Sequence, residues 1–547
     1  MNSKYHNSND NHTPILLLVI ATLLCLVPFL GKAFNIDDPL FIWSAQHIHA
    51  HPLDFYGFSI NWYGTEESAA EIIKNPPFAS YYIALAGFIG GWSEISLHLA
   101  FLLPAVAGVL GTYFLARELS QYPLTAALMG MLTPVYILSG TMVMCDTMML
   151  AMYVWAIFLW IRGMRCGSSR DLLCASLLIA LCSLTKYFGI SLVPLLFLYT
   201  LYSKQGRTRQ ILFLLVPIAA LCCYQWGTRI IYGRGLLLDA ASYATSFKEH
   251  GLKDIFTSTV TGLSFLGGCL IPSLLFMPLL WGKRVVLTVI FLFPLLALGL
   301  YILAFQEFTK SVSWDYYLQL SLYMIAGFHL LALAVRDLFE KRNSESLLLF
   351  LWVMGTFAFA SFVNWSVNGR SILPLTPAVG ILIVRALGRQ GYGLDEMRFL
   401  RSKSFAVPLT FAWLFSMTVA WADYSLAGSA RNAAQEIVRN YSDGRPLIFQ
   451  GHWGFQYYME QKGAMAFDVK KSYAKPSFVA VPENNVNIFP EIMKQGTLLQ
   501  ILEMAPSPFL TTMNEDVRAG FYSSVWGELP FSFGNVTDEK YAVLQFK

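Results

Sequence analysis

Long apolar runs set the limits on this chain before any motif does. Segments close to the ~20 residues that cross a bilayer recur between residues 14 and 424. Only 13% of the 547 residues are charged, where a soluble domain carries about 25%, and the mean hydropathy is +0.51. Backbone groups inside lipid must be satisfied within the chain, so the runs are expected to be helices. A closed β-barrel would alternate in segments of roughly ten residues, and the solid run at 15–30 does not. The sequence predicts a polytopic α-helical membrane protein with roughly thirteen spans, from 14–31 and 96–117 through 371–388 and 404–424.

Charge orients the spans. With the N-terminus inside, alternate loops carry Arg117, then Arg162, Arg165 and Arg170, then Lys204, Arg207 and Arg209. Lys283 and Arg284 come next, then Arg336, Lys341 and Arg342, and last Arg385, Arg389, Arg398, Arg401 and Lys403. This is the positive-inside pattern. It puts the N-terminus in the cytoplasm, and the loop 32–95 and everything after the last span outside, which in a bacterial inner membrane is the periplasm. Residues 1–424 are expected to form the membrane domain and 425–547 a soluble mixed α/β periplasmic domain of about 120 residues, enough for a modest core. Within it, 447–450, 477–481 and 541–546 read as strands, and 431–441 and 455–461 as helices. The 15–30 run resembles the apolar part of a signal peptide. Gly31-Lys32-Ala33-Phe34 after it is a poor cleavage site, so the run is taken as an uncleaved anchor. All eight cysteines lie in or beside apolar segments and read as small core residues, not as a disulfide framework.

The chemistry is expected at the outer ends of the spans. Asn35-Ile36-Asp37-Asp38 follows the first span, and two adjacent carboxylates at a helix mouth are costly to keep there. The plain alternative is an acidic flank or a helix N-cap. The functional one is a general base, assigned to Asp37, with Asp38 binding acceptor or metal. Residues 36–51 are expected to form a short interfacial helix with Pro39 in its first turn. Asn75-Pro76-Pro77 is a rigid extended lead-in to the apolar segment that follows. Asp146 opens the fourth span, where an acid also suits the helix dipole, yet an ionisable group at the membrane edge is a functional candidate. Lys186, followed by Tyr187, and Arg370 are cations on the side where cations are disfavoured. Snorkelling to headgroups would explain them, and so would binding of a lipid phosphate. His47, with His49 and His51, and Asn75 are assigned to the acceptor-facing loop. A divalent metal ion at the acids stays open.

In their order and shared outer-side position, these motifs resemble the GT-C glycosyltransferases over residues 15–389. The nearest likeness is to the bacterial branch of aminoarabinose–lipid A transferases, akin to protein O-mannosyltransferases. The resemblance implies a GT-C-like helical fold, a polyprenyl-phosphate-linked sugar donor, inversion at the anomeric carbon, an acid of the first loop near the acceptor, and Arg370 on the donor phosphate. This chain has Asp37-Asp38 where that branch has Asp-Glu, Asn75 where it has Lys, and Ser371 where Tyr follows the arginine. The expected activity is transfer of a hexose or pentose to a periplasmic acceptor: lipid A or another envelope glycan, or a protein. The rival readings are a flippase for lipid-linked glycans, which would need broken helices at the midplane, and a non-enzymatic envelope assembly protein. Deleting the C-terminal domain is expected to leave a transferase its chemistry and remove its acceptor choice.

Overall fold

A computed structural model describes residues 12–546 apart from 204–207, 247–250, 306–312, 389–394, 443, 474–476, 485–487, 490, 491, 493 and 495. Lys204, Arg207 and Arg389 of the basic loops lie outside the described residues. Among those described, eight helices are long and apolar enough to cross a membrane, or up to ten if two sharply bent pairs each count as one span. Three shorter apolar helices add to them: Thr13–Phe29, Phe78–Gly90 and Tyr187–Tyr202. The Phe78–Gly90 helix lies within 32–95, which was expected to be loop. Pro77 ends the extended lead-in at its N-cap, and Gly91, at φ +82°, turns the chain into Glu94–Leu119.

The bent pairs are Pro123–Met131 with Pro134–Gly140, and Lys253–Cys269 with Ile271–Leu280, at 70° and 73°. Proline at the start of the second helix in each pair explains the bends. The two bends face one small cavity lined by Leu132, Thr133, Leu270, Pro272 and Ser273, with no charged side chain among its lining residues. The carbonyl freed at Leu132 is satisfied by the Ser416 hydroxyl at 3.2 Å. Broken helices are therefore present, at a cavity whose lining carries the polar Thr133 and Ser273 but no charged side chain.

Ion pairs divide the bundle into two ends. Arg165, in the last turn of Cys145–Cys166, bonds Glu118 and Glu345. Arg385, in the last turn of Thr376–Gly388, pairs with buried Asp337 at 3.0 Å and donates to the Leu119 carbonyl. Asp146 and Arg370 sit at the opposite, N-terminal ends of the same two spans. At 1.5 Å per residue these ends lie about 30 Å apart, one bilayer core.

The helix Lys403–Tyr441 runs 39 residues without a break. The boundary expected at 424/425 falls inside it, because Ala-rich sequence follows Tyr424 with no proline to stop it. Beyond Tyr441 a five-stranded mixed sheet forms in the order Met465–Ala466, Leu447–Phe449, Ser477–Pro482, Glu539–Phe546, Gly496–Met504. The first three strands are parallel, and Glu539–Phe546 is antiparallel to both its neighbours. The small core on one face is its own, built of Ile448, Phe467, Val479, Val481 and Leu544. Phe455, Tyr457, Phe521 and Phe531 join the main core with the membrane helices, so the region is fused to the bundle.

Glu539 opens the last strand almost wholly buried, and its Oε1 has no hydrogen-bond partner among the described residues. Burial, with Asp516 nearby, pushes its carboxyl up to about 7. A carboxyl raised on folding stabilises most below its unfolded pKa, and that contribution is lost as pH rises through 7. Glu539→Gln should raise the melting midpoint of the full chain in detergent at pH 8, by an effect of about 3 kcal/mol. The difference should vanish near pH 4; a gain that does not depend on pH would contradict the burial argument.

Candidate active site

The site begins at a strained turn. Ile36 is buried with φ +51°, a left-handed conformation that β-branched residues rarely adopt. Two bonds lock it: the Asp38 N–H donates to the Asn35 carbonyl at 3.1 Å, and the Asn35 N–H donates to Asp38 Oδ2 at 2.9 Å. The helix Asp38–Ala50 follows, with Pro39 in its first turn. Asp37 occupies its N-cap, yet its side chain caps nothing. Asp37 Oδ2 instead accepts from Arg370 Nη1 at 2.9 Å.

Arg370 comes from the far side of the bundle. The Asn368 side chain accepts from the Ser371 N–H at 2.9 Å and starts the turn that carries it. The guanidinium also approaches Met144 Sδ at 3.0 Å, and its Nε is buried with no acceptor among the described residues. Asp146, two residues on from Met144, is 2% exposed and accepts from Lys186 Nζ at 2.5 Å. Its second oxygen, Oδ2, is buried without a donor. Two acid–cation pairs from four distant stretches therefore come close enough to act on one another, and they include one orphan N–H and one orphan oxygen. Buried polar groups left unmatched in this way mark places where a polar ligand fits.

Asp38 departs from the catalytic or acceptor-binding role expected of it. It is 1% exposed, and its Oδ1 accepts from the Val143 N–H at 2.9 Å while Oδ2 holds Asn35. Burial lifts its carboxyl to about 7 against the pull of these N–H groups and of Lys32. Its work is to fix the turn. Asn75 lies against the site through Oδ1, which faces Cys145 Sγ at 3.8 Å, and its carbonyl accepts from the Tyr56 hydroxyl. Tyr187 turns away from Lys186 and bonds Tyr224 at 3.1 Å, inside an aromatic group with Phe55, Tyr56 and Tyr232. His47 stacks on His51 and Phe58 and stands 3.8 Å from Asp54, away from the acid–cation pairs. No group of three His, Cys, Asp or Glu among the described residues is placed to hold a metal ion, and Asp37 and Asp146 are each engaged by a cation.

Tyr63 and Tyr243 form an aromatic rim beside Asp37, whose charge reaches both rings. Exposed Tyr63 stacks toward His452 at 6.3 Å, Trp62 toward the same ring at 5.6 Å, and Tyr243 toward Trp365 at 6.2 Å. Lys74 pairs with Asp239 beneath it and sits over the Tyr243 ring. Sequence reasoning also missed a buried pair below the turn, Lys32 with Asp423 at 2.5 Å. Its signal was available: Lys32 is another cation on the disfavoured side of the first span.

These elements define a polytopic membrane protein with the GT-C glycosyltransferase fold. The family model for dolichyl-phosphate-mannose-protein mannosyltransferases matches residues 74–226, which include Asn75, Asp146, Lys186 and Tyr187 but neither Asp37 nor Arg370. The fold is similar to the crystal structure of ArnT from Cupriavidus metallidurans bound to undecaprenyl phosphate, with TM-score 0.58 at 14% identity over 98% of both chains. The apo state of the same protein gives 0.54, again at 14% identity and 98% of both chains. Comparison with curated proteins finds no match.

Asp38→Ala would leave the Asn35 and Val143 N–H groups buried without acceptors, at about 1–3 kcal/mol each. Asp38→Asn keeps one acceptor oxygen. The melting midpoint in detergent should therefore fall further for Asp38→Ala than for Asp38→Asn; equal midpoints would show that these bonds do not hold the turn.

Proposed function

We propose that this protein transfers a sugar from a polyprenyl-phosphate donor to an acceptor at the outer face of a bacterial inner membrane, with its N-terminus in the cytoplasm and residues after Tyr441 in the periplasm. The observation that carries this reading is the Arg370–Asp37 contact with the unmatched Arg370 Nε beside it. A phosphate oxygen supplies the acceptor that Nε lacks, and Lys186 adds a second cation. Undecaprenyl phosphate in the ArnT structure supports a donor of this kind.

In the reaction, the bond between the anomeric carbon and the donor phosphate oxygen breaks, and that oxygen keeps the electron pair. An acceptor oxygen attacks from the opposite face, with inversion, and its proton passes to Asp37 Oδ2. Arg370 and Lys186 stabilise the charge that grows on the departing lipid phosphate. Asp146 holds Lys186 in place, and its free oxygen can take a hydroxyl of the sugar. An apolar groove of about 280 Å³ lined by Tyr82, Leu103, Met148, Met152, Trp155 and Leu178 supports a site for the lipid chain. Met148 lies two residues past Asp146, and Met152 accepts from Thr185 next to Lys186.

The rim of Tyr63, Tyr243, Trp365 and His452 favours an acceptor that carries sugar rings, since aromatic faces and carboxylates together bind both the apolar and hydroxyl sides of a ring. The activity is then modification of an envelope glycan or glycolipid. In a glycan-transfer assay on purified protein, Arg370→Ala should lower turnover by roughly 10²–10³ and Asp37→Asn by roughly 10²–10⁴. Arg370→Lys should not restore it, because a point charge cannot supply Nε and Nη1 together. Unchanged transfer by both Asp37→Asn and Arg370→Ala, with melting curves intact, would discard the assignment.

A further inference from the structure

The turn bearing Asp37 and the turn bearing Arg370 meet, yet neither is fastened mainly by the other. Each is fastened to the chain beyond residue 420. On the first side, Lys32 donates to Asp423 Oδ2, and Asp423 also accepts from the Tyr522 hydroxyl at 2.8 and 2.9 Å and from the Thr512 hydroxyl at 2.6 Å. Lys32 and Asp423 are 1% and 0% exposed. The Phe34 N–H donates to the Tyr458 hydroxyl at 2.8 Å, and a Cβ on Gly454 would meet the Phe34 carbonyl at 2.1 Å. On the second side, the Gly369 N–H donates to the Phe521 carbonyl at 2.7 Å. The Ser524 N–H donates to the Val367 carbonyl at 2.8 Å, and the Val367 N–H donates back to the Ser524 hydroxyl at 3.1 Å. A Cβ on Gly369 would lie 2.2 Å from the Phe521 ring.

Phe521 and Tyr522 are neighbours in the chain, so two successive residues reach the two halves of the site. From this geometry we infer that the segment 511–524 is a clamp that sets the spacing of Asp37 and Arg370, with Tyr522 and Asp423 as positioning residues on the Asp37 side and Phe521 and Ser524 on the Arg370 side. The inference rests on the proposed transferase reading, and it removes the expectation that the C-terminal region can be deleted without loss of chemistry. None of the four touches substrate. Their effect passes through backbone: residues 32–38 on one side and 367–370 on the other. A displacement of about 1 Å at a reacting group can cost a hundredfold in rate, and a buried network whose members are all satisfied is rigid enough to prevent one.

The two arms predict different kinetics. Tyr522→Phe loosens the Asp37 side and should lower kcat roughly tenfold while the donor KM stays within about twofold. Ser524→Ala loosens the Arg370 side and should raise the donor KM several-fold. Partial unfolding would lower kcat alone, in proportion to the inactive fraction, so both variants are compared at a temperature where their melting curves show them fully folded. Because a single change at Lys32 or Asp423 leaves a buried unpaired charge and threatens folding, the double variant Lys32→Met/Asp423→Asn is the second probe. It removes the pair while keeping neutrality, and it should melt near wild type yet turn over roughly tenfold slower. Arg370→Ala serves as the reference. If it abolishes transfer while Tyr522→Phe and the double variant retain wild-type kcat, the clamp is wrong and the transferase reading stands. If Arg370→Ala itself has no effect, the transferase reading falls first.

Discussion

A guanidinium and a carboxylate 333 positions apart in the chain meet at 2.9 Å between Arg370 and Asp37, at the mouth of a helical bundle where charge is expensive. Neither could be held there alone. Arg370 is 15% exposed and Asp37 27%, wet enough for a ligand to reach and dry enough that each needs a partner until one arrives. Lys186 and Asp146 are 21% and 2% exposed, so in that pair only the cation is wet, and the two pairs lie close because Met144 and Cys145 bring the Asp146 helix against Arg370. Much of the surrounding structure maintains this proximity: the locked turn at 35–38, the Asn368 cap, and the bonds from beyond residue 420.

Strain and support are matched at the turn. Ile36 in a left-handed conformation costs on the order of 1–3 kcal/mol, and a free chain would relax it. Asp38 prevents that by bonding the Asn35 and Val143 N–H groups, and the C-terminal helix Trp453–Gln461 packs on Phe34 just before it. A relaxed turn would swing Asp37 away from Arg370. Two adjacent aspartates thus divide the labour by orientation alone: one faces inward and shapes the backbone, the other faces Arg370.

Much of the fold was legible because its causes are local. Apolar length and alternating charge reveal spans wherever a helix crosses lipid unaided, and Asp146, Lys186 and Arg370 stood out as ionisable groups at span ends. What could not be read was anything decided by contact. Asp38 is set apart from Asp37 by the Asn35 N–H three residues before it and by the Val143 N–H 105 positions away, and the second of these is invisible in the local sequence. Tyr187 reads from the sequence as a donor-phosphate ligand alongside Lys186 and Arg370, but adjacent side chains diverge, and its hydroxyl donates to Tyr224. Phe78–Gly90 was hidden by its length, too short for a span signal. The boundary near 424 was misplaced because a helix leaving lipid keeps its hydrogen bonds while its hydropathy falls. Lys32 carries the same signal as Lys186, a cation at the outer end of a span, but its partner Asp423 lies 391 positions away.

The resting pairs also shape the proposed reaction. Asp37 Oδ2 accepts from Arg370 Nη1, so part of the carboxylate's acceptor capacity is already engaged by the cation. A phosphate that draws Arg370 toward itself releases that oxygen, so binding of the donor exposes the base. The charge on the phosphate grows as the sugar departs, and the pull on Arg370 grows with it, so the contact is stronger in the transition state than in the bound donor. Only interactions with that property accelerate the chemical step. An arginine whose resting partner is the base serves both ends of the displacement at once, provided the backbone holds the two turns at a fixed distance while their side chains exchange partners.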